Sequence, residues 1–175
     1  IYSEDLDEPR HWRTGCNIFV CSMSDLFHPD VPFEFIDQVM QTIRETPQHR
    51  YQLLTKRAER MAEYFANHPV PRNAWLGVTV ECVDTKPRMD ALRAIRCQSV
   101  KFLSCEPLLE DLGEMDFTDI DWVIVGGESG PIARPMNPDW VRNLRAQAEA
   151  QHTAFFFKQW GTYGADGVKR SKHAN

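Results

Sequence analysis

Six short apolar runs punctuate the chain, and they set its architecture before any motif is considered. They are Ile18-Phe19-Val20-Cys21, Tyr51-Gln52-Leu53-Leu54, Trp75-Leu76-Gly77-Val78, Val100-Lys101-Phe102-Leu103, Trp122-Val123-Ile124-Val125 and Ala154-Phe155-Phe156-Phe157. Each is rich in β-branched and aromatic residues and too short for a helix, so each predicts a strand. Their near-continuous apolar character is that of strands buried on both faces of a parallel sheet. The spacing, roughly 20 to 33 residues, leaves room for a crossover helix. On this reading Trp75, Trp122, Phe155, Phe156 and Phe157 are core residues, and Phe156→Ala should cost about 3 to 5 kcal/mol.

The gaps between the runs carry a helical period. After Pro32, the side chains Phe35, Ile36, Val39, Met40 and Ile43 fall on one face. Ala58, Met61, Ala62 and Phe65 repeat the pattern, as do Met89, Leu92 and Ile95, and then Trp140, Val141, Leu144 and Ala148. The last stripe has clear punctuation, with Asn137 as N-cap and Pro138 at the first helical position. Residues 110–121 are acidic without a period and predict a loop or a short helix. The acidic opening (Ile1, Tyr2, Ser3, Glu4, Asp5) starts no recognisable element. Strands alternating with helices give an α/β class, expected as a single domain over 1–175. Such units can lie open as a doubly wound sheet or close as part of a barrel. No G-x-G-x-x-G and no G-x-x-x-x-G-K-[ST] accompanies them, which tilts the reading towards a partial TIM-type βα barrel of about six parallel strands.

Composition narrows the partners. With 175 residues, 42% apolar and 26% charged, the chain can bury a sizeable core. Twenty basic residues against twenty-five acidic ones leave a net charge of −5, which disfavours a protein built to coat nucleic acid, although a local basic groove is compatible with it. No apolar run has a membrane helix's length, and the first residues lack a signal peptide's basic-then-apolar order, so a cytoplasmic location with no membrane partner is expected. The chain opens on Ile1 rather than Met, which raises the expectation of a missing upstream part. The five cysteines (Cys16, Cys21, Cys82, Cys97 and Cys105) form no C-x-x-C pair. They predict buried structural thiols rather than disulfides or a zinc site, and no metal site in this chain.

The chemistry collects where each strand ends, as it does at the carboxyl ends of strands in parallel α/β folds. Those ends carry Ser22, Asp25 and His28, then Thr55, Lys56 and Arg57, then Thr79 and Glu81, then Ser104 and Glu106, then Gly126, Gly127, Glu128 and Ser129, then Lys158 and Trp160. Such a rim suits a polar, anionic or zwitterionic ligand. Asp25, His28, Lys56, Glu106 and Glu128 are the candidate catalytic groups, since carboxylates and a histidine can act as acid, base or metal ligand. Ser22, Thr55, Thr79, Glu81, Ser104, Gly126, Gly127, Ser129, Arg134, Lys158 and Trp160 are the candidate binding groups. The glycines of Gly126-Gly127-Glu128-Ser129-Gly130 allow close backbone approach, and successive N–H groups there can cradle an anion; a tight turn that needs its glycines is the alternative. Trp160 can stack on a base. Glu81, Glu106 and Glu128 can equally pair with Lys56, Arg57, Arg134 or Lys158 as a structural network. His11, His49, His68, His152 and His173 have no partner spacing.

Taken together, IFVCSMSDLFHPDVP (18–32), QLLTKRAERM (52–61), WLGVTVE (75–81), FLSCEPLL (102–109), DWVIVGGESGPIARP (121–135) and FFFKQWG (155–161) resemble a family of uncharacterised bacterial and phage proteins, often prophage-encoded. The resemblance covers nearly the whole chain. Members of that family carry an upstream Trp-Asn-Pro-x-x-Gly-Cys stretch and two further cysteines ending in C-x-x-C-Tyr, a segment not present in these residues. The order Leu53-Leu54-Thr55-Lys56, Val78-Thr79-Val80 and Arg88-Met89-Asp90-Ala91-Leu92 is similar to that of divergent radical S-adenosylmethionine barrels of the spore photoproduct lyase-like branch. That likeness implies a [4Fe-4S] cluster held by upstream thiolates and S-adenosylmethionine bound at the rim of the complete protein, acting on a nucleotide or nucleic acid. Two other classes compete with it. One is a metal-dependent or acid–base hydrolase working through Asp25, His28, Glu81, Glu106 and Glu128. The other is a noncatalytic nucleic-acid or protein-binding module using Lys56, Arg57, Arg60, Arg134 and Lys158.

Overall fold

The computed structural model describes residues 4–170, so Ile1, Tyr2, Ser3 and His173 lie outside the described residues. The six apolar runs are the six strands. They are β1 (Asn17–Val20), β2 (Arg50–Thr55), β3 (Ala74–Thr79), β4 (Lys101–Cys105), β5 (Trp122–Gly126) and β6 (Ala154–Gln159). The helical stripes become α2 (Phe33–Glu45), α3 (Ala58–Asn67), α4 (Arg88–Ala94) and α5 (Pro138–Ala150). Strand order follows chain order, and the fold is α/β with six parallel strands, the arrangement of part of a TIM-type βα barrel.

The chain divides into two compact units, one of residues up to 78 together with 90–101, the other of 79–89 together with residues from 102 onward. In the first, β1 pairs in parallel with β2 and β2 with β3, in a register that sets Phe19, Gln52 and Trp75 in one row. Helix α2 buries Ile36, Val39, Met40 and Ile43, and α3 buries Ala58, Met61, Tyr64 and Phe65. The later segment completes this unit: the Val100 carbonyl accepts from the Leu76 N–H, and Ser99 Oγ donates to the Pro71 carbonyl. In the second unit β4 pairs with β5 and β5 with β6, both parallel. Helix α5 turns Val141, Leu144 and Ala148 inward, and Asn137 caps it by accepting the Asp139 N–H at 2.9 Å.

Three expectations change, and one alternative is settled. The acidic opening does form structure: a 3-10 turn at Glu4–Asp7 runs into a short helix, α1 (Glu8–His11), held by Arg10 to Glu45 and by the Thr42 hydroxyl on the Leu6 carbonyl. Residues 110–121 form a loop without helix. The strands are not uniformly buried. β4 is buried throughout, whereas β1 and β6, each paired on one side only among the described residues, alternate between partial and full exposure. Phe156 is thus 50% exposed, because an end strand has no neighbour to cover its outward side chains. Of the five cysteines, all of them free thiols, only Cys105 is buried. No helix among the described residues is long and apolar enough to cross a membrane.

Candidate functional site

The strand ends of the first unit are organised by one carboxylate. β1 stops at Val20, Cys21 adopts a positive φ of 57°, and the chain turns back with the Ser24 N–H on the Cys21 carbonyl. This delivers Asp25 to the end of β2. Its Oδ1 accepts the Phe27 N–H at 3.0 Å and the Thr55 hydroxyl at 2.7 Å. Its Oδ2 accepts the Lys56 N–H at 3.2 Å and Arg57 Nη1 at 2.8 Å. With its side chain only 15% exposed, Asp25 is a nearly buried charge satisfied by the Phe27 N–H and by the Thr-Lys-Arg turn. Thr55 is buried and also accepts the Arg57 N–H. Ser22, Ser24 and Lys56 are exposed around this hub. His28 accepts the Asp30 N–H on Nδ1 at 3.2 Å and is part-exposed.

In the second unit the carboxylates are again paired with cations. Glu81 meets Arg88 Nη1 at 2.8 Å, and the same nitrogen donates to the Thr79 carbonyl. Glu106 takes Lys158 Nζ on Oε2 at 2.9 Å and Gln159 Nε2 on Oε1 at 3.3 Å; Gln159 also reaches Ser129 Oγ at 3.4 Å. Glu128 is gripped by Arg134 through Nε at 2.8 Å, Nη2 at 2.9 Å and the backbone N–H at 2.9 Å. Those donors hold its carboxyl down at about 2. Beneath them Cys105 is a buried thiol, pushed up to about 12 first by burial and then by the charge of Glu81. It is therefore no thiolate nucleophile. Thr79 and Ser104 are buried, and the Ser104 carbonyl accepts the Val80 N–H. Trp160 packs against Phe157 with ring centroids 4.7 Å apart.

The glycines of the fifth strand end serve close packing. A Cβ on Gly126 would lie 3.0 Å from Glu106 Oε1, and one on Gly127 would lie 1.9 Å from the Trp160 carbonyl oxygen. The Gly127 N–H donates to the Gln159 carbonyl and the Gly130 N–H to Thr162 Oγ1. Two of the N–H groups that the sequence offers as an anion cradle are therefore spent inside the fold, and the tight-turn alternative accounts for them.

The sequence singles out the carboxylates but not all of their partners. Arg88 and Gln159 are missing from its candidate set, and Arg57 enters it only as a cation for a binding module or for Glu81, Glu106 or Glu128, yet Arg57 holds Asp25, Arg88 holds Glu81 and Gln159 holds Glu106. Arg88 has a legible signal: it opens a helix seven residues after Glu81, close enough to turn back on the strand end. Among the described residues no group of three or more His, Cys, Asp or Glu side chains can hold a metal ion. Asp25, Glu81, Glu106 and Glu128 each belong to an ion pair, so none is presented as a bare general base. Such pairs can open towards a ligand that carries both signs of charge.

A family model described as "Protein of unknown function (DUF5131)" matches the chain over residues 1–175. No curated protein and no solved structure matches it.

Proposed function

We propose, from the premise that the chain belongs to this family of unknown function, that it is the ligand-binding βα portion of an enzyme using a zwitterionic cofactor of the S-adenosylmethionine type. The observation that carries the reading is the pairing of strand-end carboxylates with cations: Asp25 with Arg57, Glu81 with Arg88, Glu106 with Lys158 and Glu128 with Arg134. A ligand bearing an ammonium and a carboxylate can exchange into such a pair without leaving either protein charge unpartnered. The order of strand ends supports it, with Thr55-Lys56 closing one strand and Thr79 the next, as in the radical barrels that the sequence resembles. Trp160 offers an aromatic face for an adenine ring. In the phage-associated setting that the resemblance implies, a nucleotide or nucleic acid is the substrate.

An iron–sulfur cluster does not fit the described residues, because their cysteines form no ligand group and Cys105 is a buried, protonated thiol. No step is routed through it. The hydrolase reading has less support, since Asp25, Glu81, Glu106 and Glu128 are each engaged in an ion pair. The nucleic-acid module has less as well, since Arg57, Arg134 and Lys158 already hold carboxylates, while Arg60 donates to the Val31 carbonyl and lies over the Phe33 ring.

The test is equilibrium dialysis of labelled S-adenosylmethionine against protein expressed from the whole reading frame and purified without oxygen, alongside iron analysis. Saturable binding that weakens about tenfold or more in Arg57→Gln or Arg134→Gln is expected, the scale of a lost charge-assisted hydrogen bond. Absence of both iron and cofactor binding overturns the reading.

A further inference from the structure

The first unit contains a cleft of about 920 Å³, at the upper end of the roughly 300–1,000 Å³ typical of small-molecule sites. Its walls are apolar: Ile18 and Val20 come from β1, and Phe35, Val39 and Ile43 from α2. Leu6, Pro9 and Trp12 add a further wall from the N-terminal turns. Trp12 and Phe19 border the cleft while remaining 39% and 44% exposed, so large apolar surface faces it uncovered.

The polar lining at the strand end is asymmetric in what it has left to give. Asp25 lines the cleft but is saturated by four donors, and its charge is matched by Arg57 Nη1. Arg57 Nε and Nη2 have no acceptor among the described residues. His28 accepts on Nδ1, which leaves its ring proton on Nε2. The hydroxyls of Ser22 and Ser24 make no hydrogen bond among the described residues. Apart from Asp25 and the exposed Asp30 carboxylate, 3.5 Å from His28 Nδ1, the polar side chains at that end are donors and hydroxyls. Glu8, an exposed carboxylate, belongs to the other wall, on α1.

We propose that this cleft binds a small amphipathic organic anion, an aliphatic or aromatic body with a carboxylate head, the head seated against Arg57, His28 and the two serines. Burial of the body supplies the bulk of the affinity and the guanidinium selects the charge. The inference shares Arg57 with one of the strand-end ion pairs of the proposed cofactor site, but its apolar walls take no part in those pairs, so probe binding and cofactor binding are read separately.

The experiment is a fluorescence titration of the chain with 8-anilinonaphthalene-1-sulfonate, followed by displacement with decanoate and with uncharged decanol. One probe molecule per chain, displaced by decanoate at concentrations about tenfold lower than decanol, is expected. Arg57→Gln should remove that preference, and so should Ser24→Glu, an exposed change that leaves the fold intact and sets a like charge at the mouth. Val39→Trp should abolish binding by filling the cleft. Three outcomes overturn the proposal: no saturable displacement, equal displacement by the two compounds with neither mouth variant having any effect, or a dimer by light scattering that takes up probe only after Phe19→Ser splits it. The last would assign the cleft to a second copy of this chain. Loss of S-adenosylmethionine binding with retained decanoate binding would count against the proposed function alone.

Discussion

Glu128 shows how a residue placed by a strand end acquires its chemistry from one neighbour. Three donors from Arg134 favour its ionised form, so its carboxyl lies at about 2 rather than the ordinary 4.5. The folded value is depressed, so the pair's contribution to stability is complete above about pH 4.5 and is lost as the pH falls through about 2. Arg134→Ala should return the Glu128 carboxyl towards its ordinary value, read by carbon-detected NMR titration; a carboxyl that still titrates near 2 would show that Arg134 is not the cause. Asp25 illustrates the limit of residue-level reading. Its sequence setting, three residues before a histidine and just past a strand, looks catalytic. Whether a carboxylate works or merely holds depends on how many donors reach it, and three of the four donors to Asp25 come from about thirty positions further on. Spacing along the chain does not encode that count.

At the scale of elements the amphipathic pattern transfers well. The strand runs are legible as short, near-continuously apolar segments, and the stripes of α2, α3, α4 and α5 because burial of one helix face imposes a period of 3.6 on the sequence. The Asn137-Pro138 start of α5 is legible because a cap is a local device. Exposure is less so. The apolar run of β6 is indistinguishable in composition from that of a central strand, yet its burial alternates because no further strand is paired to it among the described residues. The consequence is measurable. Phe102 in β4 is fully buried and Phe156 is half exposed. Phe102→Ala should cost about 3 to 5 kcal/mol by leaving a cavity. Phe156→Ala should cost about 1 kcal/mol, since much of its side chain is wet already. Denaturant melts of the two variants would separate them; equal losses would mean that Phe156 is covered in solution.

For the whole molecule, charge is the property that arithmetic predicts best. A net charge of −5 repels a phosphate backbone, and the strand-end cations Arg57, Arg88, Arg134 and Lys158 are already engaged with carboxylates. We expect no retention of random-sequence duplex DNA at about 150 mM salt in a mobility-shift assay. Retention that falls steeply with salt would reinstate a basic groove. The unit structure was beyond the reach of sequence, because it depends on contacts between segments far apart in order. Residues 90–101 belong with the first unit and 79–89 with the second, so the polypeptide leaves the first unit, returns to it and leaves again. The boundary is therefore not a place in the gene. A fragment ending at Val78 loses the Val100 carbonyl and Ser99 hydroxyl that its own residues bond, and one beginning at Phe102 loses Arg88 from Glu81 by losing both. Neither half can be cloned by a single cut; a split-protein reporter built on this chain would need its break inside a loop of one unit, with all three crossings kept on the same piece.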